Sequence, residues 1–389
     1  MIKPNTPIKR LVHDFVFTCF NGVHKKRLHT IFAIILGIID SKSLSISNIG
    51  RSIAKLSEIS DANGIKHADR FLGNEKVETD LLMKRWAGHV MSGYDDLLIN
   101  IDWTEFDTDH HSTLSASLQT HNSRSIPLLW RTISKDNKKD NMNNVEDDIL
   151  NDILEVISGL SPKSVIIVAD RGFMDSKLMK YIKEELGYDF VIRIRSNIFV
   201  TDQNGDARYS RDWAPTDGTQ KIIKDGHITS AHFPVNTVLC SEDRRNSDNS
   251  TFGYFCLASS LDSSTFDIDD IYSGRFSCEE TFRDIKDIRT GFGMSFFRTK
   301  NEERRDKLLL LGSISLYLIE KIGETAEEIG LDKNTTRSNN RKRRRFSLRT
   351  VGFRIYAVLN SFSGNQLSRL FKRLRLHVFA AHDLCSKYA

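Results

Sequence analysis

The sequence predicts a multidomain α/β protein: a mixed-sheet core with helices on both faces, a β-strand insertion, a helical N-terminal domain and a helical basic C-terminal tail. Three observations carry this. Apolar residues recur at helical spacing over roughly the first 85 residues, strand-like runs take over near residue 95, and the basic excess collects at the C-terminus. At 389 residues the chain has room for two to three domains of about 150 residues each. Its 39% hydrophobic and 28% charged content excludes a disordered or collagen-like chain. The longest apolar run, Thr30 to Ile39, is too short to cross a bilayer, and no signal-peptide pattern precedes it, so a soluble, cytoplasmic protein with no membrane partner is expected. Five cysteines, odd in number and never in a CxxC pair, suggest neither a disulfide framework nor a zinc knuckle.

The boundaries follow the composition. Residues 1–90 read as a helical domain in which Leu11, Phe15, Cys19 and Phe20 mark one face. Within it, Ser45 to Arg51 has N-cap chemistry ahead of a helix carrying Ile49, Ile53 and Leu56. After an Asn63-Gly64 turn, a second short helix presents Lys66 and Arg70 outward. The pair, residues 44–74, fits a helix-turn-helix reading a DNA groove and equally a pair of core helices. Residues 91–197 form the first part of the core. Leu97 to Trp103 reads as a buried strand ending in Asp102, Ser112 to Gln119 alternates, and Ser125 to Ile133 completes a three-strand meander. A helix from Val145 to Ser158, a strand Val165 to Ala169 ending in Asp170, a helix from Ser176 to Leu186 and a strand Phe190 to Ile194 follow, giving a mixed sheet covered on both faces.

Residues 198–264 are polar with short strand-like pieces, read as a β insertion. Residues 265–328 return to helices, one continuous from Asp267 through Lys286 and another from Lys307 to Ile322. The tail, 329–389, holds thirteen Lys or Arg and no acid between Lys333 and His382, against a net charge of +5 for the whole chain. Centred on Arg341, Lys342, Arg343, Arg344 and Arg345, it is the footprint expected for a polyanion, or a solvated charge run.

Chemistry concentrates at three acids. Asp102 and Asp170 each follow an apolar strand, where a carboxylate either binds a divalent metal or caps a turn. On the helix ending at Lys286, turning about 100° per residue, Tyr272, Arg275, Glu279, Arg283 and Lys286 share one face, and Glu280 lies off it. That face suits a metal ligand among groups that hold a phosphodiester, or an ordinary salt-bridged surface. His110, His111 and His121 lack metal-site spacing and are read as surface or turn residues.

Tyr-x2-Arg-x3-Glu-x6-Lys, here Tyr272, Arg275, Glu279 and Lys286, resembles the YREK signature of bacterial cut-and-paste insertion-sequence transposases. The Asp102-Trp103 strand end and Asp170-Arg171-Gly172-Phe173 resemble that family's first and second acid motifs. Leu44 to Ile53, Asp69 to Asn74 and Glu279 to Lys286 are similar to composite-transposon members. The resemblance spans about residues 20 to 325. It implies an RNase H-like catalytic core with a DDE triad, Asp102, Asp170 and Glu279, holding two Mg2+ ions that Mn2+ would replace. It implies cut-and-paste transposition through a hairpin, on double-stranded DNA, namely terminal inverted repeats and target, by a homodimer. Tyr272, Arg275, Arg283 and Lys286 would hold terminal phosphates. Where the family has a stacking Trp in its β insertion, this chain has Phe255 or Tyr254, either of which serves as a stacking face or as a core aromatic. Another RNase H-like nuclease, and a catalytically inactive DNA-binding descendant, are the competing expectations.

Overall fold

The computed structural model describes residues 2–121, 124–243, 253–289, 291–299, 301–334 and 346–379. The expected basic centre Arg341 to Arg345 lies outside the described residues.

Five helices open the chain: α1 (Pro7–Cys19), α2 (Lys25–Ser41), α3 (Ile46–Ser57), α4 (Asp61–Leu72) and α5 (Thr79–Met91). The expected Asn63-Gly64 turn is absent. Ser60 caps α4 by accepting from the Asn63 amide, so Asn63 and Gly64 lie in the first helical turn. Gly64 is there for packing: a Cβ on it would stand 2.1 Å from the Gly50 carbonyl oxygen, and one on Gly50 would stand 2.4 Å from Ile65 Cα. Two glycines let α3 and α4 cross backbone to backbone. Lys66 and Arg70 remain exposed on α4.

The sheet begins with β1 (Asp96–Phe106), β2 (His111–Leu118) and β3 (Ile126–Ser134), the expected meander. Then come α6 (Lys138–Ser158), β4 (Ser164–Ala169), α7 (Ser176–Lys180), which runs on into a π-turn at Tyr181–Glu185, and β5 (Asp189–Ile194). Strands β4 and β5 run parallel to β1 and to each other. Strand β2 does not expose alternate residues. All eight of its side chains are buried, because helices cover both faces and its serines and threonines bond one another and their neighbours, as in Thr113 with Thr132 at 2.8 Å.

The segment read as an insertion supplies β6 (Phe199–Thr201), β7 (Ala207–Tyr209), β8 (Gln220–Ile228), β9 (Phe233–Asp243) and β10 (Gly253–Ser259). Strand β10 pairs antiparallel with β5, so these strands extend one ten-stranded sheet of order β3-β2-β1-β4-β5-β10-β9-β8-β6-β7. The expected single helix through Lys286 is two, α8 (Ile268–Ser273) and α9 (Phe276–Lys286), broken at Gly274 and Arg275. Gly274 sits against Gln119, whose side-chain oxygen would be 2.1 Å from any Cβ there. Gln119 donates to Asn100 and to the Ile271 carbonyl, which ends α8 against the sheet.

Helix α10 (Glu302–Glu328) is buried along most of its length and packs on α2, α5 and β3. The tail helices α11 (Leu348–Ala357) and α12 (Gly364–Phe379) fold back onto it. Glycine again permits the approach, since a Cβ on Gly352 would lie 1.9 Å from the Ile319 carbonyl oxygen. One hydrophobic core therefore runs from α1 through the sheet to α12. No single helix among the described residues is long and apolar enough to cross a membrane.

Part of the tail's basic charge is internal. Arg349, 4% exposed, donates to Glu320 at 2.9 Å, to Asp284 of α9 at 2.9 Å and to the Ser125 carbonyl at 3.1 Å. Arg373 and Arg375 pair with Glu328 and Asp14. Removing Arg349 strips Glu320 of its guanidinium in the interior, while Asp284 keeps Arg124 at 2.8 Å, so Arg349→Met is expected to cost about 3–5 kcal/mol. Arg375→Met, at an exposed pair, is expected to cost under about 1 kcal/mol. Urea unfolding of the two variants checks the difference.

Candidate active site

Strand register brings the first two acids together. The parallel ladder between β1 and β4 ends at Ile101 opposite Ala169, and the next residue on each strand is Asp102 and Asp170. Asp102 is not the end of its strand, as the sequence suggested. Strand β1 continues to Phe106 against β2, with Asp102 opposite Ser115, and it is β4 that stops. Asp170 does cap a turn: its Oδ1 accepts from the Gly172 amide at 2.7 Å.

Helix α9 lies across the face of β1 that carries Asp102. Arg275 Nη1 donates to Asp102 Oδ2 at 3.0 Å, and Arg275 Nη2 donates to Glu279 Oε1 at 2.7 Å. The Cys278 thiol also reaches Asp102 Oδ2, at 3.5 Å. Lys286, at the far end of α9, donates to Thr104 Oγ1 at 2.5 Å and to the Glu105 carbonyl at 2.8 Å, fastening the helix to the end of β1. An open cavity of about 600 Å3 lies here, lined by Asp102, Thr104, Glu279, Arg283, Lys286 and Phe296 among others.

Burial raises the Asp102 carboxyl above its ordinary range, Arg275 opposes this, and the charges of Asp170 and Glu279 add to it. Asp170 and Glu279 are thus close enough for their charges to be felt at Asp102. Cys278 is pushed up by burial and by Asp102, which keeps it a thiol and a donor. Arg275 is held protonated, chiefly by Asp102 opposing the cost of its burial.

Other expected residues are placed differently. Tyr272 is 1% exposed on α8, in an apolar cluster with Val168, Leu239 and Phe255, and its ring does not open onto the cavity. Phe255, 4% exposed, meets Tyr272 edge-on at 5.4 Å, so of the two stacking candidates only Tyr254 is exposed. Arg283 is exposed and pairs with Glu280 at 2.6 Å. His110 and His121 lie at the surface, but His111 is buried, accepting at Nδ1 from Arg305 at 3.1 Å. Its neighbour in the pair, Asp109, draws Arg305 into the core, and His111 follows as the first residue of β2.

Four contributors escaped the sequence reading. Arg193 follows the last β4–β5 pair by one residue, as Asp170 does, and lies 5.3 Å from the Phe255 ring. Cys278 stands three residues after Arg275, a spacing that places both on one helix face. Phe296, at 62% the most exposed large apolar residue among those described, rims the cavity from the turn Met294–Phe296, which no local pattern joins to it. Behind the sheet, buried Glu146 of α6 accepts from Trp103 Nε1 at 3.0 Å, beside Asp102 in sequence.

Among the described residues no three His, Cys, Asp or Glu side chains are gathered closely enough to hold a metal ion as they stand. The donor chemistry nevertheless fits one, because Asp102, Asp170 and Glu279 offer hard carboxylate oxygens, the negative charges of the last two bear on Asp102, and Arg275 bridges Asp102 and Glu279.

Comparison with known families decides the broader identity. A family model described as Transposase DDE domain matches residues 94–316, from just before β1 into α10. The chain belongs to the DDE transposase family. A comparison with curated proteins gives no match. The matched region of this transposase contains β1, β4 and α9, hence all three acids, and the family generally works on DNA with divalent metal ions.

Burial raises Glu146 to about 7, with Trp103 opposing. Its ionisation therefore disfavours the folded state: the penalty is absent below the ordinary carboxylate range, grows as pH rises toward 7 and is complete above it. Glu146→Gln is expected to raise stability by on the order of 1–3 kcal/mol at pH 8 and to leave it unchanged near pH 4. Denaturation at the two pH values checks this.

Proposed function

We propose that this transposase moves an insertion sequence by cut-and-paste, using Asp102, Asp170 and Glu279 as its catalytic acids in an RNase H-like core. The carrying observation is the register that sets Asp102 beside Asp170 while α9 crosses above with Glu279 tied to Asp102 through Arg275. The strand order β3-β2-β1-β4-β5, with the first three antiparallel and the last two parallel, supports the RNase H-like reading.

The three carboxylates would hold two Mg2+ ions, which supply an activated nucleophile and neutralise the leaving 3' oxygen. The protein's own groups do the rest. Arg275 and Arg283 carry donors in fork geometry suited to a phosphodiester at the cavity, and Lys286 keeps β1 and α9 in fixed relation so that the acids stay aligned. Cys278 and Arg275 orient the Asp102 carboxylate. The subfamily signature supports a hairpin route, in which Tyr254 rather than buried Phe255 would receive an unstacked base. Lys66 and Arg70, exposed on α4, would meet phosphates of the transposon end, and synapsis of two ends would use a homodimer.

A duplex carrying the inverted repeats that flank the reading frame tests the assignment. The wild type is expected to cut at the repeat boundary with Mg2+ or Mn2+ and not with EDTA, and Glu279→Gln to lower the rate by at least about a hundredfold. Cutting that persists in the variant removes Glu279 from the triad. Repeat-specific binding without cutting by either protein marks an inactive DNA-binding descendant.

A further inference from the structure

Arg275 sits where two roles conflict. Its guanidinium bridges Asp102 and Glu279 at 3.0 and 2.7 Å, its side chain is 9% exposed, and the rings of Tyr272 and Phe276 lie 5.7 and 5.5 Å away. A protonated guanidinium between two carboxylates offsets a buried negative charge, as a divalent cation does, and the same oxygens cannot serve both cations at once. Its Nε–H is buried and has no acceptor. An orphaned charged donor marks a place where an acceptor is missing, and a guanidinium fork fits phosphate as well as carboxylate.

We propose that Arg275 is the resident counter-ion of the metal-free site, and that a DNA phosphate opens the site to divalent metal by drawing the guanidinium off Asp102 and Glu279. The inference rests on the assignment of those two acids as metal ligands. Arg275 is then a positioning residue that ties metal affinity to DNA occupancy: without DNA its charge stands against the ion, and with DNA the phosphate takes its donors. Because coupling between two ligands is reciprocal, metal also tightens DNA by the same factor. The cavity stays inert toward Mg2+ until substrate is seated.

Free Mn2+ measured by electron paramagnetic resonance tests this, with the full chain and an inverted-repeat duplex that already ends at the cleavage boundary in 5'-phosphorylated, 3'-deoxy termini, so that nothing is cut or joined. Wild type alone is expected to bind Mn2+ weakly and to gain at least tenfold on addition of the inverted-repeat duplex. Arg275→Gln is expected to bind Mn2+ without DNA about as tightly as the wild-type complex and to lose most of the DNA dependence. Arg275→Lys, whose single ammonium cannot span both acids in the same way, is expected to fall between and serves if the Gln variant does not fold, which near-ultraviolet dichroism shows. Asp102→Asn and Glu279→Gln report whether the ions sit at this site. If those two variants weaken Mn2+ binding but neither the duplex nor removal of Arg275 tightens it, the counter-ion proposal is overturned and the triad stands. If they leave Mn2+ binding unchanged, the triad assignment fails and the proposal fails with it.

Discussion

The parallel pairing of β1 with β4 is the constraint on which the site depends. A shift of one residue in that register would turn Asp102 or Asp170 to the other face of the sheet, because side chains alternate along a strand. The register is fixed by what lies beneath it. Ile99, Ile101, Ile167 and Ala169 are all buried to 3% exposure or less, so a slip would bring carboxylates into the apolar layer. The position of the acids is therefore set by hydrophobic burial of the residues one and three places before them on the opposite face of the sheet, and no contact among the acids themselves is needed to hold it.

Helix α9 then needs two fixings of its own, one at each end. At its start, Gly274 and Gln119 stop α8 and let the chain turn, which brings Arg275 down onto Asp102. At its finish, Lys286 grips the end of β1, and its ammonium lies 4.7 Å from the Phe106 ring, which Arg305 approaches at 4.0 Å. The break that separates Tyr272 from Arg275 thus divides the signature between two tasks. Tyr272 belongs to the apolar layer beneath, and Arg275, Glu279 and Lys286 to the charged layer above.

Much of this was legible in the sequence where the signal is local. The meander, the strand ahead of Asp170 and the helix carrying Glu279 follow from runs of apolar residues whose burial is decided by their neighbours. What escaped depends on partners far along the chain. Nothing near Gly274 announces Gln119, and nothing near Asn63 and Gly64 announces the approach of Gly50, so one helix break was missed and one turn was wrongly expected. His111 likewise reads as a surface residue until Arg305, distant in sequence, is placed beside it. The basic tail reads in sequence as helical and as a footprint of charge, and its place in the interior, made by the apolar faces of α11 and α12 and the ion pairs of Arg349, depends on partners far along the chain.

The Arg349 network also bears on when the molecule becomes competent. Asp284 lies in α9 and Glu320 in α10, and the guanidinium joining them arrives only with α11. During synthesis Asp102, Asp170 and Glu279 have all left the ribosome before this tie exists, so a nascent chain carries Glu279 on a helix whose buried face is still partly unpaired. Folding of the acid-bearing layer is thereby made dependent on a segment translated after it. Premature termination in the tail yields a chain with its acids intact in sequence and the support of α9 missing.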